Sequence, residues 1–213
     1  MYKKIRGLKQ LEKMGFPCPP YQVINITGDK PIDIEKYVLK KVREVGIPDL
    51  KGDRIGVTIR VSMPGSLDKV AKHGGLHITT EEKVLKKVLE RYQRYKPDGR
   101  IIVQHTVDAK CSGALLKEYE NAIIVAIPGD APPLLEGVTT NYEKWVFTLN
   151  DKTWVKERAY RLRDEEINIL TQKDIKNIEH YVRALTRDNT YLEWSISKRG
   201  KLYFYEYYEL KDQ

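Results

Sequence analysis

Hydrophobic and polar positions change period along this chain, and the changes mark its elements. Leu8 and Leu11 lie one helical turn apart with Gly15 following, which predicts a short helix stopped at that glycine. The segment GFPCPP then forces extended backbone into a strand over 21–26, because proline breaks a helix and restricts the residue before it. Ile34, Val38, Val42 and Val45 recur at helical spacing and end at Gly46. Ile55, Val57, Ile59 and Val61 alternate with Gly56, Thr58, Arg60 and Ser62. That period of two predicts a strand with one apolar face and one polar face. A polar, glycine-containing loop follows from 63 to 75. Thr79 and Glu82 then have capping-box spacing ahead of a helix whose apolar side is Val84, Leu85, Val88, Leu89 and Tyr92.

Pro97-Asp98-Gly99 predicts a turn and marks the expected boundary between an N-terminal lobe, 1–97, and a C-terminal lobe, 98–213. Beyond it β signals dominate, at 101–107, 114–119, 122–127, 142–149 and 153–162, with Asn150-Asp151 suggesting a hairpin between the last two. One helix interrupts, with Thr171 as its cap and Ile175, Ile178, Val182 and Leu185 facing inward. The chain closes with strands at 191–197 and 202–209 around a turn. Runs of strands with segregated helices predict an α+β fold rather than a doubly wound sheet.

Composition adds bounds to this picture. The 213 residues can bury a core as one domain or two packed lobes. No apolar run approaches the ~18 residues of a membrane span, and MYKKIRGLKQ lacks the apolar stretch of a signal peptide. Cys18 and Cys111 are too few for a disulfide framework and show no metal-ligand spacing, so a reduced, cytoplasmic chain is expected. The formal net charge of +8 favours anionic partners such as nucleotides, phosphorylated metabolites or RNA. Positive residues are spread among acidic ones, so the charge by itself selects none of these.

The last hairpin carries the sharpest chemical signal. With Arg199-Gly200 at its tip, Lys198 pairs with Lys201, Ser197 with Leu202, Ser195 with Phe204 and Glu193 with Glu206. Opposed side chains have Cβ atoms ~4.5–5.5 Å apart, and like charges there repel. Two carboxylates so placed need a cation, a shared proton or open water. Mg²⁺ suits such a pair, since it takes one or two carboxylates plus phosphate oxygens; a solvated sheet face is the metal-free alternative. Leu192, Trp194 and Ile196 read as the core side of the first strand, with Tyr203, Tyr205 and Tyr207 expected on that side of the second.

Five segments, in order, resemble the nucleotide-binding domain shared by pyruvate phosphate dikinase, phosphoenolpyruvate synthase and rifampicin phosphotransferase, an ATP-grasp domain. GFPCPPYQVI is similar to that family's "GxPVPPGF", and TIRVSMPG followed by KHGGLHIT is similar to "VRSSA…SFAGQHDT". IIVQHTVDAKCSGALL is similar to "iiVQ.MV…SGV.FT", and LLEGVTTNYEKW to "VvsGxvtPDxY". YLEWSISKRGKLYFYEYYEL is similar to "iEWAi…g.lyilQaRP". Each fragment is weak alone, but five in series cover nearly the whole chain.

The resemblance implies two lobes enclosing ATP and Mg²⁺. Arg60 matches the arginine that contacts the transferred phosphoryl group, and Thr79 a phosphate-side threonine. Gly74 and Gly75 match a turn whose backbone N–H groups approach phosphate, and Gln104 lies in the segment that lines the adenine pocket. Lys4 matches the N-terminal phosphate-binding lysine, with Arg6 as its rival. Glu193 matches the family's metal-binding glutamate, and Glu206 stands where the family has glutamine. The departures are Tyr208 in place of a phosphate-clamping arginine, Pro132 at the glutamate of the "GlGE" stretch, and Ser66 and Leu67 near the family's acidic "ED". The expectation is an ATP- and Mg²⁺-dependent phosphotransferase or ligase-like enzyme with an unidentified phosphoryl acceptor. A non-catalytic nucleotide sensor and an RNA-binding module on the same scaffold are the alternatives.

Overall fold

The computed structural model describes residues 2–25, 33–46, 53–65, 78–95, 98–130, 142–148, 151–157 and 168–210. Gly74, Gly75, Pro132 and most of the loop expected at 63–75 lie outside the described residues. Two compact units emerge, one of Met1–Lys9 and Pro19–Val107, the other of Gln10–Cys18 and Asp108–Gln213. Each has its own sheet and its own hydrophobic core.

The first unit holds β1 (Tyr21–Ile24), α2 (Ile34–Val45), β2 (Arg54–Ser62), α3 (Glu81–Tyr95) and β3 (Arg100–Val107). Helix α1 (Lys3–Lys13) begins here, and its last residues count with the second unit. The three strands form an antiparallel sheet in the order β1-β3-β2. The alternation in β2 does what it predicts: Val57 and Ile59 join Ile24, Ile101 and Val103 on one face, where Val38 and Val42 of α2 and Val84 and Val88 of α3 cover them. Thr58, Arg60 and Ser62 therefore take the opposite face, beside Gln104, Ile102 and Arg100 of β3. The turn at residues 98–99 leads into β3, the middle strand of this sheet. Pairing on both edges keeps β3 in the first unit, which runs to Val107 instead of ending at residue 97.

The second unit holds β4 (Ala109–Glu118), β5 (Asn121–Pro128), β6 (Glu143–Thr148), β7 (Thr153–Glu157), α4 (Gln172–Ala184), β8 (Thr190–Ser197) and β9 (Leu202–Glu209). Its six strands are antiparallel in the order β7-β6-β5-β4-β8-β9. Ile175, Ile178 and Val182 of α4 pack on Leu115, Ile124, Phe147, Leu192, Trp194 and Phe204. Thr171 caps α4 in a full capping box with Asp174. The C-terminal end of α1 joins this core through a Schellman turn. Gly15 (φ 73°) sends its N–H to Glu12 O at 3.0 Å, and Phe16 sends its own to Leu11 O at 2.9 Å, while both apolar side chains enter the core.

Two local expectations change. The cap of α3 is Thr80, whose Oγ1 accepts from Lys83 N at 3.4 Å, so Thr79 lies outside the helix one residue earlier than a cap. In the last hairpin, Ser197 and Lys201 close a loop of three residues, with Gly200 at φ 80°. An odd loop length moves the register by one from that of a two- or four-residue loop, so Ile196 pairs with Leu202 and Trp194 with Phe204.

Candidate functional site

The carboxylate pair survives that shift because β9 carries a bulge. The register steps over Tyr205 between Trp194–Phe204 and Glu193–Glu206, so the two glutamates face each other as expected, by a different route. The extra residue also turns β9 over. Leu202 and Phe204 are in the core before the bulge and Tyr207 after it. Tyr203 consequently pairs with Ser195 on the other face, and Tyr205 shares a hydrogen bond of 2.6 Å with Ser195 Oγ. Of the three tyrosines expected on the core side, only Tyr207 is there.

Glu206 is 3% exposed and Glu193 half-buried. Phenols flank both: Tyr208 donates to Glu206 Oε2, and Tyr191 donates to Glu193 Oε1 at 3.4 Å. The two rings stack with centroids 5.9 Å apart. Burial, and then the Glu193 carboxylate, push the Tyr191 phenol above its ordinary range, which keeps it a donor. Tyr208, which stands in place of the family's arginine, thus serves the carboxylate beside it. The donor set is all oxygen, which fits a hard cation such as Mg²⁺ that completes its shell with phosphate oxygens and water. No group of three or more His, Cys, Asp or Glu converges for a metal among the described residues, and Glu193 with Glu206 makes a pair of carboxylates.

The polar face of the three-stranded sheet is the second assembly. Arg60 is 6% exposed and its Nη1 donates to Gln104 Oε1 at 3.4 Å. Beside them Thr58 and Thr106 join their hydroxyls at 2.7 Å. An isolated bridge between Tyr2 and Pro64 ties the start of α1 to the end of β2, just past Ser62. In the first turn of α1, Lys4 is buried and Arg6 exposed. Thr79 is exposed beside Ile78, whose backbone pairs with Val57. The structure therefore brings Arg60 and Gln104 together, puts Lys4 on the helix tied to the same strand, and sets Glu193 against Glu206.

The most deeply buried acid among the described residues was not singled out from the sequence. Glu143, on β6, is fully buried and accepts from Trp145 Nε1, from Ile169 N at 2.5 Å and from Leu170 N at 3.3 Å. Lys156 Nζ lies 3.6 Å away. Saturated by donors of its own unit, it anchors the approach to α4. A charged residue at an inward position of β6 was the available signal. Cys18 and Cys111 are free thiols pushed up to about 12 mainly by burial, the protonated and unreactive form.

No protein family's sequence model matches the chain, and no curated protein matches it. Solved structures do. D-alanyl-alanine synthetase A from Vibrio cholerae superposes with a TM-score of 0.52 at 12% identity, over 98% of this chain and 55% of its own. The D-alanine–D-alanine ligase of Helicobacter pylori gives 0.53 at 10% identity, over 99% and 54%. A dinucleotide-forming acetyl-coenzyme A synthetase from Ca. Korarchaeum cryptofilum, solved with coenzyme A and Ca-AMPCP, gives 0.53 at 14% identity, over 94% and 89%. The fold is an ATP-grasp fold. At these identities the likeness is one of architecture. The chain spans about half the length of the ligases it matches. The likeness to the dikinase type of ATP-grasp domain rests on the sequence segments alone. Among the described residues, no helix is long and apolar enough to cross a membrane.

Proposed function

We propose that this chain binds ATP with Mg²⁺ and directs its terminal phosphoryl group to an acceptor, as a phosphotransferase or ligase-like enzyme. The observation that carries the reading is the opposition of Glu193 and Glu206 on one sheet face of an ATP-grasp fold. Two adjacent carboxylates, one nearly out of water, make a ligand pair that attracts a hard cation. Bound Mg²⁺ would be held by Glu193 and Glu206 and would supply positive charge beside the phosphates of the nucleotide.

In this reading the chain's own groups act by position and charge. Glu193 and Glu206 hold the cation from neighbouring strands, with Tyr191 and Tyr208 fixing their orientations. Arg60, withdrawn from water, stabilises charge on the transferred phosphoryl group more strongly than an exposed arginine does. Lys4 adds a second cation from the first turn of α1. The acceptor is open: nothing among the described residues singles out a base for it. Calorimetric titration of the chain with ATP, with and without Mg²⁺, together with slow release of inorganic phosphate, tests the proposal. Mg²⁺-dependent affinity with turnover is expected. Absence of ATP binding, with RNA bound instead in a salt-steep manner, would replace it with the nucleic-acid alternative.

A further inference from the structure

We infer that Ser62 and Gln104 complete, with Arg60, a three-donor oxyanion site on the polar face of the three-stranded sheet, which holds the terminal phosphoryl oxygens of the nucleotide. This rests on the ATP reading above and assigns Gln104 to the opposite end of the nucleotide from the adenine pocket.

Two buried polar atoms carry the argument. Ser62 is 0% exposed and Gln104 is 1% exposed, yet Ser62 Oγ and Gln104 Nε2 have no hydrogen-bond partner among the described residues. Such orphans are rare in folded chains, and a bound water, ion or ligand group answers them. They lie on one face: the register pairs Thr58 with Gln104, Arg60 with Ile102 and Ser62 with Arg100, so Arg60 occupies the row between them. The same face shows how a hydroxyl without a ligand is settled, since Thr58 and Thr106 satisfy each other at 2.7 Å. Ser62 and the Gln104 amide have no such arrangement.

The polarity of the site selects its occupant. Gln104 Oε1 accepts from Arg60, which leaves the buried amide N–H groups as unmatched donors. An adenine edge presents an amino donor beside a ring-nitrogen acceptor, and the Gln104 carbonyl that would take the amino group is shared with Arg60. A guanidinium, an amide N–H pair and a hydroxyl together match an anion of several oxygens. The Tyr2–Pro64 bridge adds the start of α1, whose first turn contains no acidic residue, at the Ser62 end of the strand.

The test uses the full chain, two variants and three probes. Ser62→Ala removes the hydroxyl without adding bulk, and Gln104→Glu keeps an acceptor for Arg60 while replacing the donors with charge. In Mg²⁺ buffer, Ser62→Ala should weaken ATP at least about tenfold with ADP nearly unchanged, and Gln104→Glu should cost about 100-fold or more. Inorganic phosphate should bind the parent weakly and Gln104→Glu not at all. Without ligand, Ser62→Ala should melt no lower than the parent, because it discards an unsatisfied group. A lower melting point means the hydroxyl is bonded within the fold, and equal loss of ATP and ADP places the donors elsewhere on the nucleotide; either result overturns the inference. Parent-like ATP affinity in both variants sinks it too while leaving the ATP reading intact. Phosphate binding lost in Gln104→Glu, in a parent that ignores ATP, upholds the oxyanion site and removes the nucleotide.

Discussion

A carboxylate withdrawn from water needs donors or a cation, and two acids of the second unit stand in different surroundings. Glu143 is surrounded by an indole N–H, two backbone N–H groups and a lysine, while Glu206 accepts from Tyr208 and lies across from another acid. Removing a charge therefore has opposite consequences at the two places. Glu206→Gln relieves repulsion, so the metal-free variant should be at least as stable as the parent and still bind Mg²⁺·ATP through Glu193. Glu193→Gln should cost Mg²⁺-dependent affinity by about tenfold or more, read by calorimetry. Parent-like binding by both variants would reduce the pair to a solvated face. His105 offers a second test. Its Nε2–H donates to Gly46 O at 2.7 Å and its Nδ1 accepts from Arg54 Nη1 at 2.9 Å, an arrangement open only to the neutral ring. Burial first, and Arg54 beside it, hold its pKa below the ordinary 6.5. The unfolded chain thus takes up the proton first as pH falls, so His105's contribution is present above about 6.5 and is lost below it. The melting temperature should drop on acidification through that window, and His105→Gln, which can both donate and accept, should flatten the drop.

At the scale of elements, Gly113 in β4 is the tightest point. A Cβ there would lie 1.9 Å from Val125 O on the neighbouring strand and 2.7 Å from the buried Trp194 ring. Neither can move without breaking the β4–β5 ladder or the core, so Gly113→Ala should cost about 3 kcal/mol in urea denaturation. Gly200→Ala, which meets nothing within 4 Å but sits at φ 80°, should cost about 1 kcal/mol. Equal costs at the two positions would show that β4 and β5 can separate to make room. The strands themselves were legible because alternation reports faces directly, as Ile55 to Ser62 did. Register was less so. It depended on Gly200 adopting a left-handed conformation and on a bulge at Tyr205, and neither leaves a periodic trace. The expected Glu193–Glu206 pair was reached because these two one-residue shifts cancel. Ser62 was visible on the polar face with Arg60, but nothing in the sequence said that its hydroxyl would be buried and unanswered.

At the scale of the whole molecule, the described residues form two hydrophobic core clusters, one per sheet. Hydrogen exchange should therefore report two opening energies. Gly113→Ala should lower protection across the six-stranded sheet and leave β1, β2 and β3 unchanged; a uniform loss would mean that the units open as one. The first unit runs past the turn at residues 98–99 to Val107 for a related reason. A turn is a local signal, whereas the membership of β3 is decided by its two partners in the sheet, β1 and β2.

The bulge in β9 also bears on how this chain tolerates changes in length. One residue lost from an ordinary strand inverts every side chain beyond it. Loss of Tyr205 does the reverse: the ladder straightens, Phe204 stays across from Trp194, and Glu206 stays across from Glu193. The hairpin holds a spare residue beside its two acids. Relatives can differ by one residue at this point and present the same pair, and an alignment that forbids a gap there will put one of the acids out of step.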